Sequence, residues 1–256
     1  MVLAIDIGNS NIVIGFVQND TIFRKARMAT DSIKTSDQYW MELDGLFTLF
    51  GIDKAQIEGV IISSVVPPVL NSCRTAVKKL LGIDPLVVGP GIKTGLNIRT
   101  DNPAQVGSDL IAAAVAAVKQ YPTPILIIDM GTATTVTAID ANGAFIGGCI
   151  CPGVRISAEA LSSRAAQLPA ISLEAPKQTI GRNTIDCMQS GVMLGAAAML
   201  DGMIERMEDE LGSKATVVAT GGIARYIIPV CKKEIHYDNE LLLKGLVTLY
   251  AINRDR

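Results

Sequence analysis

Ala4-Ile5-Asp6-Ile7-Gly8-Asn9-Ser10-Asn11 and Ile127-Ile128-Asp129-Met130-Gly131-Thr132-Ala133-Thr134 decide how this chain is read. Each stretch is a short apolar run that reaches an aspartate, turns through a glycine and continues in small polar residues. Asp6 and Asp129 are 123 residues apart, close to half of the 256-residue chain. The likeness extends outward. Ile12 to Val17 follows the first turn and ends at Asn19-Asp20; Thr135 to Ile139 follows the second and ends at Asn142-Gly143. Both read as strand, tight turn, strand. The spacing is far longer than a solenoid period, so a duplication implies two similar domains rather than an array. Cutting ahead of the second copy gives domains at residues 1–118 and 119–256. Chance similarity of two hairpins is the competing reading.

The intervening sequence predicts layered α/β structure. Thr21 to Met28 adds a third strand. Trp40, Leu43, Leu46, Phe47 and Phe50 recur at helical spacing, and Gly51 supplies a stop. Val60 to Val65 reads as a buried strand. Pro67-Pro68 then opens a helix running to Leu81, with Val69, Cys73, Val77 and Leu80 on one face. Strands alternating with helices in this way favour an α/β architecture.

Composition removes several function classes. Apolar residues are 49% and charged residues 19%, enough for a packed core, and the net charge is −2 without a block of either sign. With only 4% aromatic residues, the chain has neither the basic footprint nor the stacking surface of a nucleic-acid binder. One histidine, His236, cannot build a multi-histidine zinc site and reads as an ordinary surface or core residue, so acid–base chemistry falls to carboxylates. Cys73, Cys149, Cys151, Cys187 and Cys231 do not form a disulfide framework, and Cys149-Ile150-Cys151 lacks the C-x-x-C gap. On a strand its two thiols share a face. The apolar start is broken at Asp6 and has no basic leader, and no run reaches 18 apolar residues. The expectation is a protein of the reducing cytoplasm, without membrane or nucleic-acid partners.

A strand that ends in aspartate and turns through glycine suits a nucleotide phosphate. Glycine lets the backbone come close, successive N–H groups form an anion nest, and Ser10 or Thr132 adds a hydroxyl. The aspartate would hold Mg²⁺ beside the phosphates. Plain strand capping is the alternative for one copy; two copies favour the phosphate reading. Gly89-Pro90-Gly91-Ile92-Lys93-Thr94 lacks the spacing of a P-loop and, with Gly95, is off-register for G-x-G-x-x-G. Val217 to Ala224 is a strand entering a Gly-Gly turn, either an adenosine contact or a simple turn.

These stretches resemble the ordered motifs of type III pantothenate kinases. So do Gly107-Ser108-Asp109, Thr220-Gly221-Gly222, the run from Pro152-Gly153 through Leu168-Pro169, Gly181-Arg182-Asn183-Thr184 and Met188-Gln189-Ser190-Gly191. The resemblance spans nearly the whole chain. It implies two related actin-like (ribonuclease H-like) domains around a nucleotide cleft, and ATP-dependent phosphorylation of pantothenate, the first step of coenzyme A biosynthesis. It further implies an ATP loop at Asp6, Ile7, Gly8, Asn9, Ser10, Asn11, Ile12 and Val13, with Asp6 serving Mg²⁺ and Thr132 as a second nucleotide contact. Asp129 falls at a position for K⁺ or NH₄⁺. Asp109 falls at that of the general base, and Thr100, Gly107, Ser108, Leu110 and Thr184 at acceptor positions. The family is cytoplasmic and homodimeric, with the acceptor near the subunit interface.

A base beside the acceptor hydroxyl is what phosphoryl transfer asks of the protein beyond positioning and charge. Asp109 stands at the head of a predicted helix through Val115, where plain N-capping is the rival role. Two positions depart from the family pattern: Leu110 replaces a usual arginine and Thr100 a frequent tyrosine. Both are on the acceptor side. They keep open a kinase for another small alcohol or a non-catalytic Baf-type transcriptional accessory protein.

Overall fold

The structure, a computed structural model, describes residues 1–19 and 21–254. The Asn19 half of the first expected turn has φ 50°, and Asp20 lies outside the described residues. The chain divides into two compact units.

The first unit opens with β1 (Val2–Ile7), β2 (Asn11–Gln18) and β3 (Thr21–Ala29), an antiparallel meander. Helix α1 (Ser36–Phe50) follows, then β4 (Gly59–Ser64), α2 (Pro67–Leu81) and β5 (Leu86–Val87). The strand order is β3-β2-β1-β4-β5, with β4 parallel to β1 and β5 parallel to β4. Thr35 and Gln38 close a capping box at the start of α1, and Gly51 ends it in the left-handed conformation. Leu3, Ile5, Ile7 and Ile62 on one sheet face pack with Leu43 and Phe47 of α1 and Val69, Cys73 and Val77 of α2. The fully buried aromatic of α1 is Tyr39 rather than Trp40, which is half-buried. Tyr39 is drawn in because its hydroxyl donates to the Asp31 carbonyl at 2.8 Å. Helix α3 (Ser108–Gln120) contributes its residues up to Ala116 to this unit.

The second unit repeats the plan. β6 (Ile125–Met130), β7 (Ala133–Ile139) and β8 (Phe145–Pro152) form the antiparallel meander, and α4 (Val154–Arg164) follows. Helix α5 (Thr184–Gln189) runs through a π turn at Ser190–Leu194 into α6 (Gly195–Leu211); β9 (Thr216–Thr220), the short α7 (Ala224–Ile227) and β10 (His236–Tyr237) complete it. Its strand order, β10-β9-β6-β7-β8, is that of the first sheet written from the other edge. The duplication read from the two aspartate turns is thus a duplication of whole sheets. Cys149 and Cys151 share the inward face of β8, while Ile150 points out. Burial pushes the Cys73 and Cys231 thiols up to about 12, which makes both unreactive. His236 is exposed and stacks on Tyr121 with centroids 6.0 Å apart.

Two features differ from the sequence reading. By length and composition, the helical stretch Thr184–Leu211 is long and apolar enough to cross a membrane, although no unbroken apolar run marks it. Its Met188, Val192, Met193, Ala197, Leu200 and Ile204 are buried, and all but Met188 line the core under β6, β7 and β9. The second difference concerns the domain boundary. The last helix, α8 (Leu241–Asn253), returns to the first unit, which comprises Met1–Gly95, Asp101–Ala116 and Glu240–Arg256. α8 packs over β1, β2 and β4, where Gly15 and Gly59 leave room for Leu243 and Tyr250. The second unit is Leu96–Thr100 and Ala117–Asn239; its first segment joins by a bridge between Ile98 and Phe145. A single cut at 118/119 therefore misses both crossings.

Candidate active site

The first glycine turn is tied down at its base and open at its tip. Asp6 is the penultimate residue of β1, and the Gly8 N–H donates to the Asn11 carbonyl at 3.0 Å. Thr30, just beyond β3, holds the turn from the side: its hydroxyl donates to the Gly8 carbonyl at 2.6 Å and its N–H to the Ser10 carbonyl at 3.1 Å. Asn9, Ser10 and Asn11 are exposed, whereas Ile7 and Ile12 are core residues. Of the eight expected nucleotide positions, those two can therefore offer only backbone. Val13 pairs with Asp6 across the hairpin and is half-buried.

The second turn is one residue shorter. Ile7 pairs with Ile12 in the first hairpin, but Met130 pairs with Thr134 in the second, and the Gly131 N–H donates to the Ala133 carbonyl at 3.0 Å. The two copies thus align through Asp and Gly and slip by one afterwards. Gly131 and Thr132 are exposed. Gly153 lies against the Thr132 carbonyl, where a Cβ would not fit. Gly221, at φ +91°, lies under the aspartate strand; a Cβ there would come within 2.6 Å of the Met130 carbonyl oxygen and 2.8 Å of Asp129 Oδ1. Thr135 is the cross-strand partner of Asp129, and its hydroxyl is buried without a hydrogen-bond partner in this structure. A carboxylate beside an orphaned hydroxyl is an all-oxygen donor set, which fits a hard monovalent cation. Among the described residues no group of three or more His, Cys, Asp and Glu side chains is placed to hold a metal. A divalent ion fits here as a companion of phosphate oxygens beside Asp6 rather than in a protein cage.

The third cluster is the start of α3. The Asp109 carboxylate folds back over its own helix end: Oδ1 accepts from the Leu110 N–H at 2.8 Å. Burial raises the Asp109 pKa, opposed by backbone N–H bonds that favour the ionised form. A Cβ at Gly107 would strike Asp109 Oδ1, so a larger residue there would push the carboxylate out of place. Ser108 is buried, and its hydroxyl is fully engaged. It donates to the Ser64 carbonyl at 3.0 Å, accepts from the Ser64 N–H at 3.1 Å, and lies 3.0 Å from Ser63 Oγ. Leu110 is half-buried.

Asp6 to Val13 and Gly107 to Leu110 thus lie in one unit, whereas Thr100, Asp129, Thr132 and Thr184 belong to the other. The Thr100 hydroxyl is buried without a hydrogen-bond partner, and Thr184 is the exposed first residue of α5, beside its cap Asn183. Sequence reading missed Thr30, Ser63, Ser64 and Thr135. Ser63-Ser64 at the end of an apolar strand was the one available signal, because buried hydroxyls need partners.

The family model described as type III pantothenate kinase matches residues 2–206. The chain belongs to that family. A type III pantothenate kinase from Exiguobacterium sp. strain AT1b is 46% identical over 254 residues, covering 99% of this chain and 100% of the relative. Among solved structures, a protein described as a Baf family transcriptional activator from Campylobacter jejuni gives a TM-score of 0.63 at 18% identity, covering 99% of this chain and 100% of that one. The activator of 2-hydroxyisocaproyl-CoA dehydratase from Clostridium difficile, solved with bound ADPNP, gives 0.54 at 16%, covering 99% and 94%. Identities this low speak for the fold alone, which is the duplicated actin-like α/β fold.

Proposed function

We infer that this chain transfers the γ-phosphoryl group of ATP to the primary hydroxyl of pantothenate, giving 4'-phosphopantothenate and ADP. This is the first step of coenzyme A biosynthesis. Family membership across most of the chain supports the reaction, and the observation that carries the site is Asp109: a half-buried carboxylate at a helix start, in the same unit as the Gly8 turn.

In this reading Asp6, Ile7, Gly8, Asn9, Ser10, Asn11, Ile12 and Val13 receive the nucleotide, the two isoleucines through backbone only, and Thr132 adds a second contact. Mg²⁺ carried with ATP beside Asp6 supplies charge neutralisation for the transferring phosphoryl group. Asp129, with the Thr135 hydroxyl opposite, takes K⁺ or NH₄⁺. Asp109 accepts the proton of the attacking hydroxyl as the new O–P bond forms and the bond to ADP breaks. Thr100, Gly107, Ser108, Leu110 and Thr184 are the acceptor positions. The Ser108 contribution comes from its backbone N–H, because its hydroxyl is spent on β4. The two compact units serve as the two actin-like domains of a cytoplasmic homodimer. The free state of all five cysteines accords with a reducing compartment.

The apolar Leu110, where an arginine is usual, favours one second reading, the same chemistry on a less acidic alcohol. One assay separates the two. Purified protein with Mg-ATP and potassium is offered pantothenate and a panel of small alcohols, and phosphorylated product is measured. Turnover of pantothenate, reduced when sodium replaces potassium, is expected. Turnover of another alcohol in its place would overturn the assignment of the acceptor, and equal rates in sodium and potassium would remove the cation from Asp129.

A further inference from the structure

Two buried serines, Ser63 and Ser108, lie next to Asp6 in register and to Asp109 in sequence, respectively. Asp6 stands beside Ser63 in the parallel β1–β4 register, so both side chains leave the sheet on the same face. Ser63 is wholly buried, and its hydroxyl lies 3.0 Å from that of Ser108. Ser108 has already given its proton to the Ser64 carbonyl, so the Ser63 O–H donates to Ser108 Oγ. The next residue along α3 is Asp109. Its carboxylate is turned back onto the Leu110 N–H in the same helical turn. The second unit has a counterpart to Ser63: Thr220, also buried, stands beside Asp129 in the β6–β9 register. A hydroxyl beside the strand-end aspartate therefore recurs, and in the first unit it reaches a helix that begins with a half-buried carboxylate.

We propose that Ser63 is a positioning residue for phosphoryl transfer, which fixes the first turn of α3, and with it Asp109, against the end of β4, beside the strand that carries Asp6. The proposal rests on the reading of Asp109 as the base. Three hydrogen bonds converge on the Ser108 hydroxyl oxygen, two with the Ser64 backbone and one from Ser63, and the Ser63 bond adds to the restraint that the Ser64 pair places on the start of α3. A shift of about 1 Å in the base is enough to slow transfer by orders of magnitude. Sequence gives no catalytic reason for a serine at this point in an apolar strand; the bond to Ser108 supplies one.

Ser63→Ala removes one oxygen and leaves both Ser64 bonds to Ser108. Steady-state kinetics should show kcat with pantothenate lowered roughly tenfold to a hundredfold, with KM for ATP unchanged. The same substitution made in Asp109→Asn should cost nothing further, because a residue that acts through Asp109 has no effect once the base is gone. Hydrogen exchange, read without any turnover, should rise over residues 107–112 in Ser63→Ala. Wild-type kcat in Ser63→Ala, or an equal loss in both backgrounds, would overturn the role in catalysis. Unchanged exchange over 107–112 would overturn the brace itself. Failure of the wild-type chain to phosphorylate pantothenate, or full turnover by Asp109→Asn, would instead count against the reading of the site, while the exchange result would still decide the brace.

Discussion

As the proposed base, Asp109 carries opposite demands for stability and for activity. Burial raises its pKa, so the folded chain disfavours the ionised form that a base requires. The sign follows from linkage: a carboxyl whose folded pKa lies above its unfolded value favours folding below the unfolded pKa, and that contribution is lost as pH rises through the folded pKa. Activity runs the other way, falling as pH drops through the same raised value. The acid limb of kcat/KM is therefore expected above the ordinary carboxylate range, and a pH–rate profile checks it. Asp109→Asn should lower turnover by roughly 10²–10⁴ while raising the thermal midpoint at neutral pH. That gain should vanish in acid, where wild-type Asp109 is protonated too; a lowered midpoint at neutral pH would contradict it. Leu110, the adjacent residue, makes a separate test of the acceptor. An arginine there would offer a charge-assisted contact of about 1.5–3 kcal/mol to the pantothenate carboxylate. Leu110→Arg is expected to lower KM for pantothenate by roughly tenfold. An unchanged or higher KM would show that position 110 is not the contact.

At the level of elements, close approach explains more than propensity does. Gly245 sits in the middle of α8, where alanine would ordinarily favour the helix by about 1 kcal/mol. Its Cα faces the Ala112 carbonyl of α3, and an added Cβ has no room. Gly245→Ala should therefore destabilise the chain by about 1–3 kcal/mol, against the propensity scale, as read from denaturant midpoints at unchanged slope. The same geometry shows what the sequence did and did not make legible. Strands β1 to β4 and helices α1 and α2 were readable because their apolar periods are local and their stops, Gly51 among them, are residues with fixed backbone preferences. The return of α8 to the first unit was not, since it depends on small residues at Gly15, Gly59 and Gly245 that are distant in sequence. The aspartate turns were legible as a pair, but not the extra residue in the first, which only strand register reveals. Asp109 was placed by resemblance. The serines that hold its helix left only the signal of two hydroxyls closing an apolar strand, because a hydrogen bond between β4 and α3 has no sequence period.

Duplication makes the two sheets alike, and both units expose large apolar side chains, Ile33 and Leu49 on the first among them. On the second unit, Ile150 is 77% exposed, Ile180 81% and Ile185 48%, a set of large apolar side chains that water solvates poorly. Ile150 lies on β8, an edge strand of its sheet that residues 97–99 cover at Phe145, and an apolar edge beyond that bridge invites pairing with another chain. Thr184, assigned to the acceptor, is exposed next to Ile185, so in a single chain that position faces solvent. A second copy of the chain that covers the outer face of β8 would bury Ile150, and one that reaches the start of α5 would bury Ile185 and enclose Thr184. Sedimentation at assay concentration should accordingly give a homodimer. Ile150→Lys combined with Ile185→Lys should shift it towards monomer, raise KM for pantothenate and leave the far-UV circular dichroism unchanged. Position 180, on an irregular loop, is a weaker place to intervene, because its side chain can move away from an interface without disturbing a strand or helix. A wild-type chain that sediments as a monomer with full turnover would refute the dimer, and a lysine variant that stays dimeric would move the interface away from β8 and α5.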